Sequence, residues 1–207
     1  MKLVTIGDSI TKGTFFENGE CLIANPCFAD ILNVKLSADE FVNYGQNGIC
    51  YSTTTDVFPL DAISRKIKLV DSADILVVAG GTNDYAARIK IGSENDTEDI
   101  SFYGATYETF EYIKNNLSNA KIFIVSPILR ASEGEKNAAG YTVDDYRNVI
   151  EKQAKRFGFN FIDGRNLNID PRDNEIKQKY VPDGLHPNLE GHKLYGEFLY
   201  SEILKKI

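Results

Sequence analysis

The chain has 207 residues, with 30 acidic and 23 basic side chains and a formal net charge of −7 at pH 7. Apolar residues make up 43% of the sequence and charged residues 26%, a balance that is typical of a globular protein and excludes a disordered chain. The acidic excess disfavours nucleic acid and anionic membranes as partners, because those surfaces repel a net anion.

One compact domain over residues 1–207 is expected at this length. The first apolar stretch is too short for a signal peptide and is broken by Gly7-Asp8, and no apolar run reaches the roughly 18 residues of a membrane span. The three cysteines form no CxxC pair, which favours free thiols in a reducing compartment. We therefore expect a cytoplasmic protein without membrane insertion, although a chain whose leader had been removed would look the same.

Five short apolar runs predict strands that are covered on both faces, as in a parallel sheet. In chain order they are residues 2–6, 41–44, 74–79, 121–125 and 159–162. The fourth run stops before Pro127, which cannot continue a central strand.

Apolar residues at helical spacing lie between these runs. A weak helix is predicted over residues 26–36, and a C-terminal helix begins near Asn188. Thr142-Val143-Asp144-Asp145 resembles a capping box at the start of another helix. The helical faces are Leu60, Ile63, Ile67 and Val70; Tyr103, Tyr107, Phe110, Ile113 and Leu117; Tyr146, Val149, Ile150 and Phe157; and Tyr195, Phe198, Leu199 and Ile203.

The alternation of strand and helix predicts a three-layer α/β fold with right-handed crossovers. The longest irregular stretches are residues 88–101, 130–140 and 166–184. In an open α/β sheet, ligands bind outside the carboxyl ends of the strands, where such loops gather.

Polar residues follow three of the predicted strands, and a late loop adds a fourth group. A parallel sheet brings the first three groups to one edge, and the final helix could carry the fourth there. The groups are Gly7-Asp8-Ser9-Ile10, Asn43-Tyr44-Gly45-Gln46-Asn47-Gly48, Gly80-Gly81-Thr82-Asn83-Asp84 and Asp183-Gly184-Leu185-His186-Pro187-Asn188.

These residue types suit acyl transfer. A serine at a sharp strand-to-helix turn, such as Ser9, exposes its hydroxyl near helix N-terminal amides. Histidine is the usual base for such a hydroxyl, and Asp183 lies where it could orient the imidazole of His186. His192 lies in the predicted final helix and is expected to be a surface or packing residue. Backbone N–H groups near Ser9 and Gly48 and the amide of Asn83 could stabilise an oxyanion.

Each group also has a simpler explanation. Asp8-Ser9 could be a turn and N-cap, the glycines at 45 and 48 could serve backbone geometry, and Asn83-Asp84 and Asp183-Gly184 could be turns. The four groups occur together, at four strand or loop ends and in an order that suits one site. This favours acyl-transfer chemistry over the simpler explanations.

The four groups together resemble the SGNH hydrolases, also called GDSL esterases/lipases, from residue 3 to about residue 195. The matching motifs are Gly-Asp-Ser-Ile at 7–10, the spacing from Asn43 to Gly48, Gly-Thr-Asn-Asp at 81–84 and Asp-Gly-Leu-His-Pro at 183–187. The resemblance implies a flavodoxin-like five-stranded parallel sheet of order 2-1-3-4-5, with no metal or organic cofactor. It also implies a nucleophile, base and orienting acid at Ser9, His186 and Asp183, and an oxyanion hole at Ser9, Gly48 and Asn83. The assignment of Gly48 depends on spacing, since Gly45 precedes it.

A flavodoxin-like cofactor-binding module is the alternative from a different class, because residues 9–14 resemble a phosphate-binding loop. A Walker motif is excluded, since Lys12 precedes Gly13, and the alternative leaves Asn83 and the Asp183–His186 pair unexplained. A metal site on that pair lacks further ligands. An interaction protein that has lost its activity is disfavoured by the complete set of groups.

The expected substrates are small-molecule or carbohydrate esters of short acyl groups, including O-acetyl groups on carbohydrate. Acidic and aromatic residues in the stretch 94–111 suggest a sugar-binding loop, and the absence of a long apolar loop argues against a lipid tunnel. The alternative for this stretch is a solvated acidic loop followed by aromatic residues of the core. Lysophospholipase and thioesterase activities remain alternatives within the family, and the sequence leaves the oligomeric state open.

Overall fold

The computed structural model describes residues 1–53 and 61–207. Its centre is a parallel sheet of five strands in the order β4-β1-β5-β6-β7. This order confirms the predicted 2-1-3-4-5 arrangement, and all five predicted strands are present. They are β1 (Lys2–Gly7), β4 (Glu40–Gly45), β5 (Ile75–Ala79), β6 (Lys121–Val125) and β7 (Asn160–Ile162), and a separate antiparallel hairpin consists of β2 (Thr14–Glu17) and β3 (Glu20–Ile23).

Helices cover both faces of the sheet and confirm the predicted three-layer α/β/α fold. They are α1 (Ser9–Lys12), α2 (Phe28–Leu36), α3 (Ile63–Lys66), α4 (Thr82–Ala86), α5 (Phe102–Asn116), α6 (Val143–Phe157), α7 (Asn174–Tyr180) and α8 (Leu189–Leu204). Short 3₁₀ turns add Ile67–Leu69 and Gly164–Leu167. None of the helices in the described part of the chain is long and apolar enough to cross a membrane.

The alternation of side chains along the strands produces two cores. Val4 and Ile6 of β1 face α3, α5 and α6, whereas Leu3 faces α2 and α8. The same alternation runs through β5 and β6, where Leu76 and Ile124 join the first core and Val77 and Phe123 join the second. Strands that are buried on both faces require continuous apolar sequence, which is why these runs could be predicted as strands.

The strand register aligns the carboxyl ends of β1, β4 and β5, and the polar groups follow these ends. Gly7 at the end of β1 pairs with Gly45 of β4 on one side and with Ala79 of β5 on the other. The segments that carry Ser9, Gly48 and Asn83 therefore leave the sheet side by side at its carboxyl edge.

Three features differ from the sequence expectations or extend them. The predicted helix with Leu60, Ile63, Ile67 and Val70 is a short α3 followed by a 3₁₀ turn, and Leu60 lies outside the described residues. Helix α7 forms inside the stretch expected to be irregular. Its side chains are all at least partly exposed, so apolar periodicity could not reveal it, and Asp173 caps its first turn.

The hairpin was also not predicted, although the sequence carries its signal. Asn18 and Gly19 form the turn between its strands with φ angles of 51° and 82°. An Asn-Gly pair is favoured in such turns, because both residues tolerate positive φ. The capping box of α6 is confirmed, since the Thr142 backbone N–H donates to Asp145 at 2.7 Å.

Candidate active site

Ser9 lies at the tight turn between β1 and α1. The Asp8 carboxylate caps this turn by accepting a hydrogen bond from the Ile10 N–H at 2.9 Å. The turn packs directly on the end of β4, because a Cβ atom at Gly45 would lie only 2.2 Å from the Lys12 nitrogen. Gly45 thus serves the close approach of two backbones. Ser9 is only 6% exposed.

A chain of hydrogen bonds joins Ser9, His186 and Asp183. The Ser9 Oγ lies 2.9 Å from His186 Nε2, and His186 Nδ1 lies 2.6 Å from Asp183 Oδ2. A proton on Nδ1 satisfies the carboxylate and leaves Nε2 as the acceptor for the serine hydroxyl. The structure therefore brings together the three residues that sequence analysis selected from distant segments.

Asp183 also shapes the loop that contains it. Its Oδ1 accepts hydrogen bonds from the N–H groups of Leu185 and His186 at 2.9 and 2.7 Å. Burial disfavours the charged carboxylate, but these bonds and the His186 imidazole outweigh burial and hold the pKa of Asp183 below its usual range. Asp183 is thus an anion wherever histidine is neutral.

A second carboxyl group, that of Asp8, lies buried next to Ser9 in the chain. Burial raises the pKa of Asp8 to about 6, against the lowering effects of the Ile10 N–H bond and of His186. A cavity of about 20 Å³ borders Asp8, Ala79 and Tyr195, which is room for about one water molecule.

Asn83 and Gly48 meet beside the β5 end. The Asn83 amide, in the first turn of α4, donates to the carbonyl of Ile49 at 3.0 Å. An amide group has two N–H donors, so one remains for a further acceptor. Gly48 has a positive φ of 73°, which favours glycine at this position. The two groups expected in an oxyanion hole are thus neighbours.

Asp84 positions the segment that follows Gly48. Its carboxylate is fully buried and accepts hydrogen bonds from the backbone N–H groups of Tyr51 and Ser52 at 3.0 and 3.2 Å. Burial raises the pKa of Asp84 to about 7, against those bonds. Sequence analysis named this residue as part of the Gly-Thr-Asn-Asp motif and of a turn, and gave it no role of its own. The signal that could have identified it is an acidic residue in the first turn of the helix that follows a fully apolar strand.

The loop after β6 connects the two halves of the site and was not predicted to do so. Arg130 Nη1 donates to the Thr82 carbonyl and hydroxyl at 3.1 and 2.8 Å, beside Asn83. The Ala131 N–H donates to the Gly184 carbonyl at 2.8 Å, inside the Asp183–His186 turn. Arg147 of α6 fixes this loop from below by donating to the Pro127 and Ile128 carbonyls at 2.9 and 2.8 Å.

The second histidine, His192, is a packing residue. This is one of the two roles, surface or packing, that its place in the sequence predicted. His192 is fully buried in α8, stacks on Phe28 of α2 and accepts the Phe28 N–H at Nδ1. Its Nε2 has no hydrogen-bond partner among the described residues. Burial lowers the pKa of His192 to about 4, so it stays neutral.

The aromatic rings of the stretch 94–111 are buried or covered, although Glu94, Asn95 and Tyr103 border an open pocket of about 540 Å³. Phe102 and Tyr103 are buried in the core, and the Arg156 guanidinium covers the Tyr107 ring at 4.8 Å. Glu94 pairs with Lys152 at 2.7 Å and Asp99 accepts the Ser64 hydroxyl at 3.1 Å. Within residues 1–53 and 61–207, no three His, Cys, Asp or Glu side chains are arranged to hold a metal ion.

Comparison with solved structures identifies the fold. A Lactobacillus plantarum protein superposes with a TM-score of 0.85 at 25% identity, over 100% of this chain and 97% of that chain. The aryl esterase of M. smegmatis superposes with a TM-score of 0.71 at 16% identity, over 100% and 99%. A lipase/acylhydrolase from Enterococcus faecalis gives a TM-score of 0.65 at 19% identity, over 99% and 96%.

Sequence comparison identifies the family. No protein of curated function matches the chain. The model of the GDSL-like lipase/acylhydrolase family matches residues 5–194, a span that includes all four polar groups at the carboxyl edge of the sheet. The chain therefore belongs to the GDSL-like lipase/acylhydrolase family of ester hydrolases.

Proposed function

We propose that this protein hydrolyses carboxylic esters of short acyl groups through a Ser9–His186–Asp183 triad and an acyl-enzyme intermediate. The observation that carries the proposal is the continuous hydrogen-bond chain from Ser9 Oγ through His186 to Asp183 Oδ2, at 2.9 and 2.6 Å. Such a chain can deprotonate a hydroxyl at neutral pH without a metal ion.

The first half of the reaction forms the acyl-enzyme. Ser9 Oγ attacks the ester carbonyl while its proton passes to His186 Nε2, and Asp183 stabilises the resulting imidazolium. The carbonyl oxygen becomes an oxyanion, which accepts hydrogen bonds from the Ser9 and Gly48 N–H groups and from Asn83. The C–O bond to the alcohol then breaks, and His186 returns the proton to the departing oxygen.

The second half repeats these roles with water. His186 removes a proton from a water molecule as that water attacks the acyl carbon. The Ser9 ester then breaks, Ser9 Oγ recovers the proton, and the carboxylic acid leaves.

The short-acyl assignment rests on the sequence, which contains no long apolar loop that could form a tunnel for a lipid chain. The sequence-based hypothesis of carbohydrate acetyl esters rested on residues 94–111, whose aromatic rings are buried or covered. The proposal therefore specifies only the acyl part of the ester. Lysophospholipids and thioesters are the alternative substrates.

A chain-length series of p-nitrophenyl esters, from acetate to palmitate, tests the proposal. We expect kcat/KM to be highest for acetate or butyrate, and Ser9→Ala to lower it about 10³-fold or more. The matched control is Ser201→Ala, because Ser201 is an exposed serine on α8 that bonds only to its own helix. A maximum at palmitate would refute the short-acyl assignment. Full activity in Ser9→Ala would refute the mechanism.

A further inference from the structure

The β2–β3 hairpin presents one apolar face to solvent beside the active site. Thr14 and Phe16 share this face with Ile23 and Cys21, their partners across the hairpin. Phe16 is 37% exposed, Ile23 is 52% exposed, and Cys21 is an exposed free thiol. We call Phe16, Cys21 and Ile23 the hairpin face. The opposite face packs inward through Phe15, which belongs to the core shared with α2 and α8.

The hairpin that carries this face contacts both the Gly48 segment and His186. At one end, the Thr14 hydroxyl donates to the Asn47 side chain at 2.7 Å, next to Gly48. At the other end, the Phe16 ring lies 5.2 Å from the His186 imidazole, with the two planes tilted by 55°. The Phe16 ring thus packs beside His186, while Phe16 remains 37% exposed.

The chemistry of the reaction defines which part of an ester meets this face. His186 Nε2 returns its proton to the alcohol oxygen, so that oxygen must lie against the imidazole. The oxyanion points away, toward Asn83 and Gly48. A side chain that packs against His186 is therefore nearer to the alcohol part of the ester than to the acyl part.

On the basis of the function proposed above, we infer that the hairpin face binds the alcohol part of the substrate and selects apolar, in particular aromatic, alcohols. An aromatic group packs favourably on the Phe16 ring, and the contact removes exposed apolar surface of Ile23 from water. An exposed apolar patch that adjoins reactive groups is the kind of surface that binds a ligand.

Matched esters test this inference. Benzyl acetate and methyl acetate differ in the alcohol, whereas methyl acetate and methyl butyrate differ in the acyl group. We expect Phe16→Ala to lower the ratio of kcat/KM for benzyl acetate to that for methyl acetate about five- to tenfold, mainly through KM. The ratio for methyl butyrate to methyl acetate should stay unchanged.

Two further variants separate binding from support of His186. Ile23→Ser changes an exposed residue of the hairpin face, and we expect it to lower the benzyl-to-methyl ratio two- to threefold, mainly through KM for benzyl acetate. Val34→Ser, at an apolar residue of α2 that is 75% exposed, is the control and should leave the ratio unchanged. Phe16→Leu keeps an apolar side chain for folding and should lower the ratio less than Phe16→Ala.

The outcomes distinguish the two proposals. If Phe16→Ala lowers kcat/KM equally for all three esters, and Ile23→Ser has no effect on the ratio, the hairpin face merely supports His186 and the inference is wrong. A change in the acyl ratio instead of the alcohol ratio would assign the face to the acyl side and would overturn it as well. If the wild type hydrolyses none of the esters, the proposed function itself fails.

Discussion

The two sides of the candidate active site are held in place in different ways. Ser9 and Asn83 follow strands whose ends pair directly, Gly7 with Ala79, so the register of a buried sheet sets their separation. Asp183 and His186 lie in a loop between α7, whose side chains are all partly exposed, and α8. A few hydrogen bonds hold that loop.

Those bonds come from segments far away in the chain. The Asn188 N–H donates to the Tyr180 carbonyl at 2.8 Å and closes the loop, and the Ala131 N–H reaches the Gly184 carbonyl at the same distance. The strand side thus shares the cooperative stability of the core, whereas the loop side depends on individual contacts. Single changes should therefore disturb the loop side more selectively than the strand side.

The largest effect is expected from Asp183→Asn on the loop side. The asparagine can keep an oxygen toward the Leu185 and His186 N–H groups, but its amide would face His186 Nδ1 and favour the wrong tautomer. We expect kcat/KM to fall about 10³- to 10⁴-fold with the fold retained. Asp173→Asn, at the N-cap of α7, is the control and should leave the rate unchanged. A variant with a tenth of the wild-type rate would disprove the orienting role of Asp183.

On the strand side, Asn83→Ala tests the proposed oxyanion hole separately from the triad. Loss of one oxyanion donor costs about 10²–10³ in kcat, because that hydrogen bond strengthens as charge develops. We expect such a fall with little change in KM, and slow labelling of Ser9 by a fluorophosphonate should persist. Asn83→Asp should be at least as damaging, since it places a carboxylate against the oxyanion. Near-normal kcat in Asn83→Asp would mean that residue 83 only forms a turn.

The helix that follows the loop should respond to pH through His192. Its folded pKa, about 4, lies below the unfolded value of about 6.5, so its stabilising contribution is present above pH 6.5 and is lost as pH falls toward 4. Between pH 7.5 and pH 5 this linkage lowers the free energy of unfolding by about 2 kcal/mol. Urea unfolding at both pH values measures it.

His192→Gln is the comparison for that measurement, because glutamine can accept the Phe28 N–H without titrating. Asp8 and Asp84 have raised pKa values and contribute with the opposite sign, but they are common to both proteins and cancel in the difference. An equal pH dependence in the two proteins would contradict the assignment to His192. Esterase activity at pH 7.5 should be nearly the same in both.

The smallest effect is expected from Gly184→Ala, which tests the contact between the loop and residue 131. A Cβ atom at position 184 would lie 2.7 Å from the Ala131 Cβ, and Gly184 has a φ of +81°. We expect kcat/KM to fall about tenfold, since strain of this kind costs about 1–3 kcal/mol and displaces the Asp183–His186 turn.

Two further variants separate the clash from the strain. Ala131→Gly added to Gly184→Ala removes the methyl group that the new side chain would meet, and we expect it to restore part of the rate. Gly134→Ala has nearly the same φ, +82°, but its Cβ would meet no described atom within 4 Å, so activity should be unchanged. Equal losses at positions 134 and 184 would show that the 131–184 contact is unimportant.

Much of the fold was predictable because buried parallel strands require continuous apolar sequence. The predicted runs at 74–79 and 121–125 are strands over residues 75–79 and 121–125. Helix α7 and the β2–β3 hairpin were not predicted. The first has no buried face to create a periodic pattern, and the second is identified only by Asn18-Gly19 at its turn.

The sequence by itself predicted the sheet, and the family resemblance supplied the order of its strands. It also predicted Ser9, Asn83, Asp183 and His186 as site residues, because each follows a predicted strand or belongs to a short motif. Only the tertiary structure decided how these residues are supported. Arg130 and Ala131 touch both halves of the site, and Phe16 lies against His186, through contacts between segments that are far apart in the chain. Such contacts leave no local pattern in the sequence, since they depend on the packing of whole elements.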